Sequence, residues 1–198
     1  MIRALLAASV LLMPSAADPA SVVLSSSEIV ISPEAIVQVI CYGSNEITAG
    51  TAFRVGNSLL LSVNHVTNGS HCFIGSDPID VEYSGKSDFS MLKGGDGPFL
   101  KVDCGGFVKG RKYLAVGYGR GLPTLTVVEL VDTGAHDASN GEAILEGIFA
   151  VVPGQSGGPL LDEETGEVVG TVNAENFEAG LGWSVSLSTT PLCKKPLA

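Results

Sequence analysis

Apolar residues in this chain come in short clusters separated by turn formers. No segment sustains the 3.6-residue apolar period of a helix. From residue 35 onward the clusters read as strands at Ile36–Tyr42, Thr51–Val55, Ser58–Val63, Cys72–Ile74, Phe89–Leu92 and Phe99–Val102. Gly56-Asn57 reads as a hairpin turn between the second and third of these. Glycines from Gly105 to Gly110 mark a break. Strands then resume at Tyr113–Val116, Leu125–Val131, Ile144–Val152, Leu160–Leu161, Val168–Val172 and Trp183–Leu187. Many short strands with frequent turns predict an all-β protein of sandwich or barrel type. Two groups of six suggest two six-stranded antiparallel β-barrels, over residues 35–104 and 105–198, the latter including a tail.

The first residues follow another pattern. Met1-Ile2-Arg3 is a short basic start, residues 4–13 are an apolar run, and Pro14, Ser15, Ala16 and Ala17 are small residues around a cleavage point. This is the three-part layout of a secretory signal over residues 1–17. Ten apolar residues are too few for a bilayer span, which takes about 20. The expected location is therefore secreted or periplasmic, without membrane attachment once the signal is removed. Residues 18–34 are Ser-rich and read as a loose leader. Export makes the four cysteines, Cys41, Cys72, Cys104 and Cys193, candidates for two disulfides with three connectivities open. Their spacing resembles no zinc site, and neither a metal nor a cofactor is expected.

Composition narrows the partners. Apolar residues make up 45% of the 198 and charged residues 16%, which excludes a disordered acidic chain. The formal charge is −10, and the 11 Lys and Arg are scattered. A nucleic-acid partner needs clustered basic residues and is not expected. The oligomeric state is not legible; a monomer is favoured. Asn68-Gly69-Ser70 is a glycosylation acceptor if the host is eukaryotic.

The sharpest chemical signal is Pro153-Gly154-Gln155-Ser156-Gly157-Gly158-Pro159. A serine between glycines can sit on a tight turn with its oxygen exposed and the flanking backbone N–H groups converging on a developing oxyanion. The same residues satisfy G-x-S-x-G, but a nucleophile elbow places its acid and histidine after the serine. Here His65, His71 and His136 all precede Ser156. A subtilisin order needs an Asp ahead of the histidine, and only Asp18 precedes His65. The remaining order is His, Asp, Ser. His65 ends the apolar stretch Leu59–Val63 and is the candidate base. Asp88 leads the strand Phe89–Leu92, 23 residues later, and is the candidate acid. His71 and His136 lie in polar, loop-like stretches, and Asp77, Asp80 and Asp96 in turn-like ones.

With these residues in place the chain resembles a chymotrypsin-like (trypsin-fold) serine protease. It is similar to compact bacterial and viral members and to the HtrA/DegP protease domain. The matching pieces are Gly50-Thr51-Ala52-Phe53, Leu59–Val66, Ser87–Leu92, Pro153–Leu161, Glu167–Ala174 and Gly180–Ser186, spanning about residues 36–190. The resemblance implies an active site in the cleft between two barrels, and a secreted endopeptidase acting on polypeptide. Ser156 would be nucleophile, His65 general base and acid, and Asp88 the orienting carboxylate. The loop of Gly154, Gln155 and Ser156 would form the oxyanion hole, with the backbone N–H groups of Gly154 and Ser156 as its donors. The primary pocket would have Ala150 at its floor and Asn173, Ala174, Glu175 and Gly182–Ser184 as walls, favouring a small or medium neutral side chain. It also implies that the strands carrying Cys41 and Cys72 are neighbours, leaving Cys104 to pair with Cys193. Gln155 departs from the family, because digestive members carry there an Asp that pairs with a newly cut amino terminus. With no PDZ-type domain read before Ala198, an HtrA-type oligomer is not expected. The competing readings are an inactive binding module on the same fold and an esterase using the same three residues.

Overall fold

The computed structural model describes residues 22–24, 29–68, 71–85, 88–119, 125–137, 143–148, 151–176 and 181–194. The signal segment, residues 1–17, lies outside them. Strand β1 (Val22–Leu24) pairs antiparallel with β2 (Ile29–Ile31). A 3-10 turn at Pro33–Ala35 then enters β3 (Ile36–Tyr42). Next come β4 (Ile47–Gly56), β5 (Leu59–Ser62), the one-turn helix α1 (Asn64–Thr67), β6 (His71–Ile74), β7 (Asp77–Ser84) and β8 (Ser90–Lys93). These six strands close into a barrel in the order β3-β4-β5-β8-β7-β6.

A linker leads to β9 (Lys112–Tyr118), β10 (Leu125–Asp137), β11 (Ala143–Ile148), β12 (Pro159–Asp162), β13 (Val168–Asn176) and β14 (Leu181–Ser186). This second six-stranded sheet runs β10-β11-β14-β13-β12-β9, and β9 pairs with β10 as well as with β12. A short helix α2 (Pro191–Lys194) follows. The all-β expectation agrees with this architecture.

The apolar runs form strands buried on both faces. Side chains alternate across a strand, so consecutive apolar residues serve opposite sides. On β5, Leu60 joins the cluster of Val39, Ala52, Val63 and Leu92 inside the first barrel. Its neighbour Leu61 joins the cluster shared with the second sheet, which includes Phe53, Phe89, Leu114, Val116 and Leu161. Ala52 and Phe53 divide in the same way on β4. This shared cluster fixes the two sheets against one another, and the candidate site lies at that junction.

The structure departs from the sequence reading at several elements. The sixth strand of the first barrel is Asp77–Ser84, not Phe99–Val102. Only Ile79 of β7 is buried, so this solvent-facing strand between β6 and β8 lacks an apolar run, and Asp77 and Asp80 belong to it rather than to turns. Phe99–Val102 is the crossing segment. It borrows backbone bonds from both sides, Leu100 N–H to Arg54 O and Val168 N–H to Lys101 O, while Phe99 is exposed. The turn after β4 is Asn57-Ser58, one residue later than expected, with Ser58 in the left-handed region at φ 57°. His71 opens β6 and His136 falls within β10 instead of in loops. Strand β11 stops at Ile148, and Val151 and Val152 begin the loop to Ser156. The leader is not loose throughout, because Ile29 and Ile31 are buried in the shared cluster.

Two disulfides are present. Cys41 and Cys72 face each other directly across β3 and β6, and Cys104 in the linker joins Cys193 in α2. This is the pairing implied by the family resemblance. The bridges close loops of 31 and 89 residues. The loop-entropy relation assigns them about 4 and about 4.5 kcal/mol through the unfolded state. Replacing Cys104 and Cys193 by Ser together should lower urea-unfolding stability by a few kcal/mol. Non-reducing peptide mapping that finds Cys41 bound to Cys104 would contradict the connectivity.

Candidate active site

Strand β5 delivers His65. Leu60, Leu61, Ser62 and Val63 are fully buried, and the chain turns at once into α1. Val66 and Thr67 anchor this turn from below, through Thr48 Oγ1 donating to Val66 O at 2.6 Å and Thr67 Oγ1 to Val63 O at 3.2 Å. The imidazole is left on the open side, 46% exposed. Asp88 sits two residues before β8 and engages His65 twice. Its Oδ1 accepts the His65 backbone N–H at 3.0 Å and its Oδ2 accepts Nδ1–H at 2.6 Å. An ionised carboxylate only accepts, so this contact places the imidazole proton on Nδ1 and leaves Nε2 as a free acceptor.

Two asparagines hold the acid. Asn173 Nδ2 donates to Asp88 O at 2.5 Å and to Asp88 Oδ2 at 3.3 Å. Asn173 Oδ1 accepts from Thr171 Oγ1 and from Val185 N–H, which fixes the amide orientation. Asn64 staples the segment leading to Asp88. Its Nδ2 donates to Gly85 O, and its Oδ1 accepts from Ser84 and Ser90 hydroxyls. Burial pushes the Asp88 carboxyl up, but the hydrogen bonds and charge of His65, with help from Asn173, outweigh it and hold the group below its ordinary 3.8.

The Ser156 loop is fixed by its own backbone and by the first barrel. Gln155 is buried and closes a reciprocal pair with Val152, its N–H donating to Val152 O at 3.1 Å and its Oε1 accepting Val152 N–H at 2.9 Å. Gly158 N–H returns to Gln155 O, and Gly157 N–H reaches Val172 O. From β4, Thr51 N–H donates to Ser156 O at 2.8 Å and Thr51 Oγ1 to Gly154 O at 2.7 Å. Gly157 is required here. It sits at φ 85°, and a Cβ would press on Thr51 O and Ser62 Oγ.

The N–H groups of Gly154 and Ser156 have no acceptor among the described residues. The Gln155 N–H is taken by Val152 O, so the two unengaged N–H groups of this loop are those that the family resemblance assigns to an oxyanion hole. His65, Gly154 and Ser156 line one cavity of about 410 Å³, together with Val66, Val151 and Asn173. Among the described residues no hydrogen bond joins the Ser156 hydroxyl to His65. Such contacts are commonly long without substrate and tighten when it binds.

The expected pocket residues divide. Ala150 lies outside the described residues. Ala174 and Glu175 are placed on β13 by their backbone, and Gly182 opposes Glu175 on β14. Asn173, expected as a wall, reaches the cavity but spends its amide on Asp88. Thr51 and Asn64 were not assigned roles from sequence, although both lie inside quoted motifs; their contacts are long-range.

Two outcomes follow. Gly157→Ala should lower stability by at least about 2 kcal/mol, from left-handed strain plus the clash, measured by urea unfolding. The depressed Asp88 pKa contributes stability that is complete above 3.8 and lost as pH falls through the lower folded value. Asp88→Asn should therefore flatten the acid limb of the stability–pH curve below about pH 4. An unchanged slope would contradict the role of that carboxylate.

No protein-family model matches the sequence, and no curated protein matches it. Solved structures do. The active form of the Mycobacterium tuberculosis protease Rv3671c shares 20% identity at a TM-score of 0.65, covering 90% of each chain. The HtrA-type protease AlgW, solved with a tripeptide, shares 23% at 0.66 over 77% of this chain. The Yersinia pestis serine endoprotease shares 21% at 0.63 over the same share. This chain spans only 56% and 58% of the latter two. At such identities the likeness establishes a common fold, that of the trypsin-like protease domain found in HtrA-type serine proteases.

Proposed function

We propose that the chain is a serine endopeptidase, with Ser156 as nucleophile, His65 as general base and acid, and Asp88 as orienting carboxylate. The observation carrying this reading is the Nδ1–Asp88 contact, which turns Nε2 toward service as a base while Ser156 lines the same cavity. The site would lie in the cleft between two barrels, with polypeptide as substrate. Nε2 takes the Ser156 proton as Oγ attacks the scissile carbonyl carbon. The carbonyl oxygen becomes an oxyanion facing the unengaged Gly154 and Ser156 N–H groups. As the C–N bond breaks, Nε2 returns the proton to the leaving amine. Water, deprotonated by Nε2, then releases the acyl group from Ser156.

Two disulfides suit an oxidising compartment and support the secreted or periplasmic reading. Gln155 Oε1 is already satisfied by Val152 N–H. The loop thus holds its shape through neutral hydrogen bonds, and activity should not depend on a newly cut amino terminus.

A fluorophosphonate probe should label Ser156, and labelling should disappear in Ser156→Ala. Ser156→Ala, His65→Ala and Asp88→Ala should each lower peptide turnover about 10⁴-fold or more, without additivity in the double variants. Ester hydrolysis without amide hydrolysis would favour the esterase. A folded wild type that never labels would identify a binding module.

A further inference from the structure

The outer face of the first barrel carries an apolar strip that runs into the Ser156 cavity. Strand register places it. Cys72, Cys41 and Thr48 form one row across β6, β3 and β4, and the two cysteines are buried, so this row faces inward. Side chains alternate along a strand, so the rows on either side of it face outward. One outward row is Phe73, Ile40 and Ala49, and the other is His71, Tyr42 and Ile47. None of the six is buried. Ile47 is 67% exposed and Tyr42 45%, the former being the most exposed large apolar side chain among the described residues. The Tyr42 ring stands edge-on to Phe73, with centroids 5.8 Å apart, which joins the two rows. A contiguous apolar surface left in water marks an interaction site. Its position says what covers it. Ala49, at the end of the first row, lines the cavity with Thr48, His65 and Ser156. Thr48 Oγ1 also donates to Val66 O at 2.6 Å, so this wall stands beside His65. In the acyl transfer described above, His65 protonates the leaving amine, so the departing half of the substrate lies on the same side.

We propose that Ile47, Tyr42 and Phe73 form a docking surface for the departing half of the polypeptide, selecting substrates with large apolar or aromatic side chains about two to five residues after the cut. This rests on the serine protease reading and adds a substrate class to it. The reach follows from extended backbone. Ile47 is two residues from Ala49, about 7 Å, and Tyr42 and Phe73 lie one and two strands further across at about 4.8 Å per strand. A peptide advancing about 3.3 Å per residue covers that span within the stated positions. Aromatic partners suit the surface because Tyr42 and Phe73 offer rings for stacked or edge-on contact. A charged side chain laid on these groups would lose hydration with nothing to answer it.

The test uses two peptides identical up to the cut and differing only in the second to fifth residues after it, Leu and Phe in one, Ser and Gln in the other. Wild-type kcat/KM should favour the apolar peptide by about tenfold, which burial of about 55 Å² of apolar surface supplies. The double variant Tyr42→Thr/Ile47→Thr should abolish that ratio while cleaving the polar peptide as wild type does. Threonine keeps the strand preference at two exposed positions, so the urea midpoint and fluorophosphonate labelling should be unchanged. Equal kcat/KM for the two peptides in the wild type overturns the proposal, as does a preference that survives the double variant. Binding is measured in parallel on Ser156→Ala, using the departing halves alone as synthetic peptides. The apolar half should bind about tenfold more weakly when Tyr42→Thr/Ile47→Thr is added. Unchanged affinity there overturns the docking surface whether or not the chain cleaves peptides. Absent fluorophosphonate labelling with that affinity difference intact overturns only the protease reading and leaves the docking surface supported. Self-association in sedimentation that the double variant abolishes, with peptide affinity unchanged, would give the strip to a second copy of the chain and overturn the proposal.

Discussion

Thr51 is the residue on which the geometry of this molecule depends. It is fully buried on β4, and each of its polar groups is committed. Its N–H holds Ser156 O, and its hydroxyl donates to Gly154 O and accepts Tyr118 N–H from β9. Its carbonyl accepts the Ser62 hydroxyl, one strand over and three residues before His65. One residue of the first barrel therefore fixes the loop of the second sheet and the strand that presents the histidine. A buried polar network of this kind is stabilising only while every member is satisfied, because an orphaned group in a low-dielectric interior is costly. The surrounding glycines follow from the same constraint. Gly50 must be bare because a Cβ would come within 2.8 Å of Ser156 O and 2.5 Å of a Val66 methyl.

The loop also shows how a turn can be held without charge. In the digestive proteases that the sequence resembles, an Asp precedes the nucleophile and pairs with an ammonium delivered by proteolysis. Here Gln155 precedes Ser156, and its amide oxygen accepts a bond from the backbone three residues upstream. An amide satisfied locally has no need of an incoming cation, and a buried ion pair brings a desolvation cost that this arrangement avoids. The amino-terminal segment is free for another use: Ile29 and Ile31 pack into the cluster shared by the sheets.

The elements most readable in the sequence are those buried on both faces. β5, β9 and the first half of β13 are dense in β-branched or aliphatic residues and announce themselves, and β3 does so although only part of it is buried. β7 does not, because a strand with a single buried side chain reads as a polar turn. Conversely, Phe99–Val102 is apolar but crosses between the sheets, and composition cannot separate a crossing from a strand. The same division holds at the site. The types and order of His65, Asp88 and Ser156 are local signals, and the structure brings His65 and Asp88 into contact. The contacts of Asn173 with Asp88 join residues 85 apart, and no pattern along the chain marks them.

Asn64 shows why the short His–Asp interval can still give an ordered acid. Only 23 residues separate His65 from Asp88, so the stretch between them must turn back quickly through β6 and β7. The asparagine beside the histidine bonds Ser84 at the end of β7, Gly85 in the following turn, and Ser90 at the start of β8. Ser90 in turn shares its hydroxyl with Thr67 at the far end of α1. Both ends of the Asp88 segment are thereby tied to the helix that carries His65. The carboxylate and the imidazole are thus positioned by one connected set of hydrogen bonds centred on Asn64.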